Sequence, residues 1–325
     1  MTGIELKKMR QIISHFKNKR MLVLGDLMLD KYIWGSVVRI SPEAPVPVVE
    51  VHKDTSCLGG AGNVASGLES LGASLLLVGI VGDDREGQWI QENIPDSRGI
   101  FTDKSRPTTV KTRIIAHHQQ VVRVDHEKKS PISAKMEEKI FKFIQEEQYD
   151  GILISDYNKG TLTKSLLKRV LTFARKGKIP VFVDPKFENF LFYSPVTLIT
   201  PNHHEASRIV HHECRTDSQV ENAGDKILSR VSAPYLIIKR GEQGMSVFEK
   251  GKRVKHIPTV AKEVYDITGA GDTVIATAAL ALLSGSTIME AAALANAAAG
   301  VVVGKIGTAT VTAEELFASL NPDKK

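Results

Sequence analysis

Cysteine is scarce: Cys57 and Cys214 are the only two in 325 residues, and no CxxC spacing joins them. That argues against a disulfide framework or a cysteine-built zinc site, and a reducing cytoplasm is the compartment expected. Long apolar runs are lacking too. The N-terminal "MTGIELKKMRQIISHF" reads as an amphipathic helix, neither a signal peptide nor a membrane span. Aromatic residues make up only 6% and do not interleave with basic ones, so nothing resembles a base-stacking surface. The net charge of +6 and pI near 9.1 therefore point to a phosphorylated small molecule rather than to nucleic acid or an acidic membrane. Three His–His pairs (His117–His118, His203–His204, His211–His212) stand in the chain. Adjacent residues do not face one another on a helix or strand, so no histidine metal site is expected.

What is present is an alternation. "MLVLGD", "SLLLVGIVG", "GILISD", "IPVFVD", "VTLIT" and "YLIIKRG" read as short strands, several apolar on both faces, as in a buried parallel sheet. Between them "NVASGLESLG", "AKMEEKIFKFIQEEQ", "KSLLKRVLTFARKG" and "AGDKILSRV" read as helices. The fold class expected is α/β, a doubly wound, mostly parallel sheet flanked by helices. Two regions, about 31–57 and 107–126, alternate Val, Ile and Thr with polar residues and have no helix between strands. They are expected to form a small antiparallel β lid on a single domain spanning 1–325.

Three glycine motifs compete for a phosphate. "GVVVGKIG" has only three residues between its first two glycines and Ile306 where Ser or Thr should follow the lysine, so it is not a Walker loop. "GAGNVA" (Gly60 to Ala65) matches a dinucleotide fingerprint, with Asp83 and Asp84 about twenty residues on. It follows "DTSCLG", which reads as a poor strand, and a plain tight turn explains it as well. "YDITGAGDT", ahead of the helical "VIATAALALLSG", is more specific. Its glycines allow close approach of a ligand, and a helix start supplies N–H groups and a dipole for an anion. Asp272 at that spot would repel an anion, so a base facing a phosphate fits better.

"DITGAGDT" resembles the DTxGAGD signature of the ribokinase-like (PfkB) carbohydrate kinases. Other marks of that family stand in order: "GGAGNVA", "PNHHE" and "ANAAAG". Within it, "GDLMLDKYIWG", "RISPEAPVPVVEV", "HQQVVRVDHE", "SDYNKG", "VDPKFENF" and "NAAAGVVVGKIGTATV" resemble the branch that phosphorylates heptose 7-phosphate in ADP-heptose synthesis. The resemblance runs from about Met21 to Val311. One departure is Gly62, where the family usually has Ala, and a slightly looser turn is expected there.

The resemblance implies ATP and Mg²⁺ as cofactors and transfer of the γ-phosphoryl to the sugar C1 hydroxyl. It makes Asp272 the base, with the N–H groups of Gly269, Ala270 and Gly271 holding charge on the moving phosphate. By family position Asp30, Gly59, Gly60 and Asn63 would hold the sugar ring, although Asp30 also reads as a solvated strand end. Lys111, Arg113, Arg123, Lys159 and Lys186 are cations available for the substrate phosphate, Lys186 foremost. Asn202 and Glu205 match the N-x-x-E element that organises magnesium through water. Lys239, Gly241 and Gly244 would line the nucleotide, and Asn296 would lie near its base or serve as a satisfied helix polar group. Lid strands of a second subunit are the expected homodimer partner. After Val311 only "TAEELFASLNPDKK" remains, so no nucleotidyltransferase domain is expected, and a separate nucleotidyltransferase and phosphatase would complete the pathway. Other ribokinase-like sugar or nucleoside kinases are the nearer alternative. A dinucleotide-binding oxidoreductase and a nucleic-acid binder are the rival classes.

Overall fold

In a computed structural model, the structure describes residues 3–320 apart from 118, 262 and 306. His118 of the first histidine pair, Ile306 and the charged tail at 321–325 thus lie outside the described residues. A nine-stranded sheet forms the centre. From one edge its strands are Lys255–Ile257, Met245–Glu249, Tyr235–Lys239, Leu198–Ile199, Val181–Asp184, Gly151–Ser155, Arg20–Gly25, Ser74–Val81 and Ile100–Thr102. The seven from Tyr235–Lys239 onward are parallel, and Met245–Glu249 and Lys255–Ile257 add antiparallel strands at the edge. The expected six core strands are all present; the strands Ile100–Thr102, Met245–Glu249 and Lys255–Ile257 are additional to them, and two of the three are only three residues long.

The double-sided apolar pattern has its reason in the layers. Met21 and Val23 of the strand Arg20–Gly25 enter one core, packed on helices Ala61–Ser70, Ala270–Leu283 and Ile288–Val302. Leu22 and Leu24 enter the other, packed on helices Ala134–Glu146, Lys164–Gly177 and Asp217–Arg230. Side chains alternate along a strand, so a sheet covered on both faces needs apolar residues at every position. The helix Ala270–Leu283 is buried nearly all round, which its alanines permit by close packing against Ile288–Val302.

The lid is a second sheet of four strands in the order Pro47–Gly60, Leu27–Ile40, Thr109–Ala116, Gln119–His126. Its outer pairs are antiparallel, and its central pair, Leu27–Ile40 with Thr109–Ala116, runs parallel. The parallel pairing was not expected from the hairpin-like sequence. It arises because both central strands leave the main body in the same direction, one directly after the strand Arg20–Gly25. The lid also begins earlier than 31, at Leu27, and "DTSCLG" is the end of a 14-residue strand rather than a poor one.

Candidate active site

Carboxyl ends of parallel strands are where an α/β sheet places its chemistry. Asp26 follows Arg20–Gly25, Asp156 follows Gly151–Ser155, Asp184 ends Val181–Asp184, and Lys239 ends Tyr235–Lys239. Lys239 Nζ comes against the turn that begins the helix Ala270–Leu283 and pairs with Asp184, while Asp26 and Asp156 hold the neighbouring turn at residues 157–161. Gly269 caps that helix with φ 81°, a left-handed conformation that favours glycine. A Cβ on Gly269 would stand 2.8 Å from Asn63 Nδ2, and one on Gly271 would stand 3.2 Å from Lys239 Nζ. The turn is therefore closely hemmed by an amide and a cation. The Ala270 N–H donates to the Ile267 carbonyl at 3.3 Å, a long bond, so this expected donor already has a partner.

Asp272 is buried in the first turn of the helix. Asn63 Nδ2 donates to its Oδ2 at 2.7 Å, and the Tyr157 hydroxyl donates to its Oδ1 at 2.7 Å. Burial pushes its carboxyl up to about 6, opposed by the Asn63 bond, reinforced by the charge of Asp184 and opposed again by Tyr157 and Lys239. The group thus remains ionised at neutral pH yet is a stronger base than an ordinary carboxylate. Asp266, the other acid of the motif, is structural: it accepts from Thr268 N at 2.8 Å and Gly307 N at 3.1 Å, tying the turn to the chain beyond the next helix.

Strand register explains the lid's inner face. Asp30 is paired with Lys111 and Cys57, Tyr32 with Arg113, Arg113 with Arg123, and Lys111 with Asp125. Residues paired in this way share a face. Asp30 is buried rather than solvated, and its Oδ1 accepts from Arg113 at 2.7 Å. A Cβ on Gly59 would lie 2.5 Å from Asp30 Oδ2, which accounts for a glycine there. Gly60 caps the helix Ala61–Ser70 that carries Asn63. Gly62 lies inside that helix, where an alanine would meet Leu58 Cβ at 3.0 Å, so the smaller residue relieves crowding instead of loosening a turn. Lys111 and Arg123 both pair with Asp125, at 3.2 and 2.9 Å, and Lys159 pairs with Glu127. Together they make a cationic group around two carboxylates at one end of the lid.

Lys186 is not with them. It pairs with Glu205, and its Nζ lies 5.5 Å from the centroid of the Tyr157 ring. Lys186, expected to be foremost among the cations for the substrate phosphate, thus stands apart from the lid cations, because it leaves the strand Val181–Asp184 toward the helix His203–Val210. Burial pulls the Lys186 ammonium down, but Glu205 and two aspartates outweigh it and the net direction is up. Asn202 and Glu205 form a reciprocal capping box at the start of the helix His203–Val210, with Glu205 Oε2 accepting from Asn202 N at 2.9 Å. This accounts for part of the N-x-x-E spacing locally and leaves Glu205 Oε1 turned to Lys186. Lys239 pairs with Asp184, Gly241 and Gly244 bound the short turn that follows, and Asn296 donates to the Pro258 carbonyl at 2.7 Å. Asn296 is thus a satisfied helix polar group that fixes the loop after Lys255–Ile257.

Sequence reasoning missed Tyr157, Asp184, Asp26 and Asp156. Three of them lie in "SDYNKG" and "VDPKF", where nothing in the local pattern separates them from ordinary loop residues. Elsewhere the competing motifs have structural explanations. The strand before "GAGNVA" belongs to the lid and not to the parallel sheet, unlike a dinucleotide fold. Lys305 of "GVVVGKIG" is bonded to Thr310 O and Glu315 at 2.8 Å.

Residues 18–315 match the model of the pfkB family carbohydrate kinases. The chain is 45% identical over 323 residues to the bifunctional protein HldE of Geobacter metallireducens, covering 98% of this chain and 66% of that protein. It is 45% identical over 309 residues to the bifunctional protein HldE of Helicobacter pylori, covering 93% and 66%. The chain thus spans just under two-thirds of the length of these curated relatives. In fold it is similar to Arabidopsis thaliana ribokinase complexed with ribose and ATP (TM-score 0.72, 21% identity, 93% of this chain and 98% of that one). It is likewise similar to phosphofructokinase-2 from Escherichia coli in complex with substrates and products (TM-score 0.78, 17% identity, 93% and 99%). With most of its length matched by the family model, and with the family's signature turn seated on a buried carboxylate, the chain belongs to the pfkB family of carbohydrate kinases.

Proposed function

We propose that this chain transfers the γ-phosphoryl of ATP to the C1 hydroxyl of D-glycero-D-manno-heptose 7-phosphate, giving the 1,7-bisphosphate. The observation that supports the phosphoryl-transfer part is the juxtaposition at one turn of a buried carboxylate, Asp272, the start of a helix and Lys239. The heptose part rests on the motifs "SDYNKG", "VDPKFENF" and "HQQVVRVDHE" and on the cationic end of the lid. In the reaction the sugar hydroxyl oxygen forms a bond to the γ-phosphorus while the bond to the β–γ bridging oxygen breaks. ADP leaves with that oxygen, and the hydroxyl proton passes to Asp272.

The chain's own groups divide as follows. Asp30, with Arg113 against it, and Asn63 hold the ring through directional hydrogen bonds. Lys111, Arg123 and Lys159 take the 7-phosphate, exchanging their present carboxylate partners for it. Lys186 and Lys239 balance charge on the nucleotide side. Glu205, with Asn202, would hold magnesium through water; the ion would supply charge neutralisation between the phosphates. An acid oxygen turned to a cation, rather than locked in the core, suits that water-mediated role. Lid strands pairing across a two-fold axis would cover the exposed Val38, Ile40, Val51, Val122 and Val124 and make a homodimer.

A coupled assay for ADP over a panel of sugars, sugar phosphates and nucleosides tests this reading. Highest kcat/KM for heptose 7-phosphate is expected. A better turnover of an unphosphorylated sugar or a nucleoside would replace the proposed substrate with that one.

A further inference from the structure

Tyr157 touches both halves of the site. Its hydroxyl donates to Asp272 Oδ1 at 2.7 Å, and the ring lies against Lys186, which is paired with Glu205. The backbone that carries it is held tightly. Asp26 Oδ2 accepts the N–H groups of Tyr157 and Lys159, each at 3.0 Å, and its Oδ1 accepts that of Thr161 at 3.1 Å. From the other side Asp156 accepts the Asn158 N–H at 2.7 Å and the Tyr193 hydroxyl, while Asn158 itself is left-handed at φ 55°. Buried carboxylates on two strand ends thus grip five residues of turn, and the phenol is set at a fixed place.

A carboxylate base works only if a lone pair faces the proton it takes. Asn63 on Oδ2 and Tyr157 on Oδ1 together fix the plane of the Asp272 carboxylate, and each oxygen keeps a lone pair beyond the one so used. Burial and the charges of Asp272, Asp184 and Asp30 drive the phenol's own ionisation well above its ordinary value, so it stays a donor at neutral pH. We propose that Tyr157 is a positioning residue of the phosphoryl transfer, whose hydroxyl fixes the Asp272 carboxylate for proton acceptance and whose ring seats Lys186 beside the transferred group. This rests on Asp272 being the base.

Two variants separate the two contacts: Tyr157→Phe keeps the ring and loses the hydroxyl, and Tyr157→Leu loses both. The kcat, the KM for ATP and the pH profile of kcat/KM are to be measured with thermal unfolding as a check on folding. In Tyr157→Phe, kcat falls by about tenfold or more, KM for ATP stays within about twofold, and the acid limb moves up by about one pH unit. The other groups facing the pair, Asp184, Lys239, Asp30, Lys186 and Glu205, are the same in both proteins, so the displacement belongs to the phenol. Tyr157→Leu adds a rise in KM for ATP; if it fails to fold, the Phe variant alone carries the test. An acid limb coincident with wild type and an unchanged kcat in folded Tyr157→Phe overturn the inference. Asp272→Asn in the same series separates the two levels. If Asp272→Asn is inactive while Tyr157→Phe behaves as wild type, only the positioning role fails. If Asp272→Asn retains wild-type turnover, the base assignment fails and takes the inference with it.

Discussion

Asn63 and Asp272 lie 209 residues apart in the chain and share a buried hydrogen bond of 2.7 Å. One stands near the start of the helix after the lid strand Pro47–Gly60, the other near the start of the helix after the glycine turn. In the proposed reaction, this bond would join the sugar-facing and nucleotide-facing halves of the site at the carboxylate that takes the proton. Changes at either residue should therefore reach the other.

Asp272→Asn should lose turnover by roughly 10²–10⁴ while leaving nucleotide binding nearly intact, since an amide cannot take the hydroxyl proton. Steady-state kinetics together with calorimetric titration of ATP check this. Because the wild-type carboxyl titrates at about 6, kcat/KM should fall as pH drops through that value.

Stability should show the opposite sense. A carboxyl raised above its unfolded value binds more protons in the native state, so between about pH 4 and 6 it favours folding increasingly as pH falls. The contribution is present below the unfolded pKa and lost as pH rises through the folded one. Denaturant unfolding of wild type and Asp272→Asn at pH 7.5 and 5 should reveal a difference of about 1.4 kcal/mol in their pH dependence. Asp156 is also raised, by burial and then by the charge of Asp26, and is common to both proteins. Parallel curves for the two proteins would contradict the buried-charge account.

Gly269→Ala should cost about 1–2 kcal/mol in stability, since the new Cβ meets both a left-handed backbone and the Asn63 amide. Activity should fall further than stability does, because Asn63 is the residue displaced. Thermal unfolding beside kcat reads the two separately.

Lys111→Ala and Lys159→Ala should lower kcat/KM for the 7-phosphorylated sugar by about tenfold each and leave the unphosphorylated sugar unaffected, since charge-assisted contacts are the stronger ones. Lys186→Ala should instead reduce turnover of both sugars alike. Equal kcat/KM for the two sugars in wild type would remove the phosphate from the lid.

Light scattering at micromolar concentration should report a dimer, and Val51→Lys or Val124→Lys on the lid strands should shift it toward monomer. A fully active monomeric wild type would rule the pairing out.

Much of this was legible in the chain itself, for a physical reason. The alternation of doubly apolar strands with helices follows from burial on both faces of a sheet, a local pattern in "MLVLGD" or "GILISD". The glycine turn before Asp272 is equally local, since positive φ and close approach demand glycine where they occur. What the chain could not disclose was which distant groups meet there. Tyr157 reads as one more aromatic in a loop until Asp26 and Asp156 position it against Asp272. Lys186 reads as a free cation until the strand Val181–Asp184 delivers it to Glu205. The parallel pairing inside the lid depends on where two strands leave the body, which no alternation of residues records. Local backbone demands and burial are written residue by residue; partners across 209 positions are decided only when the sheet brings its strand ends to one edge.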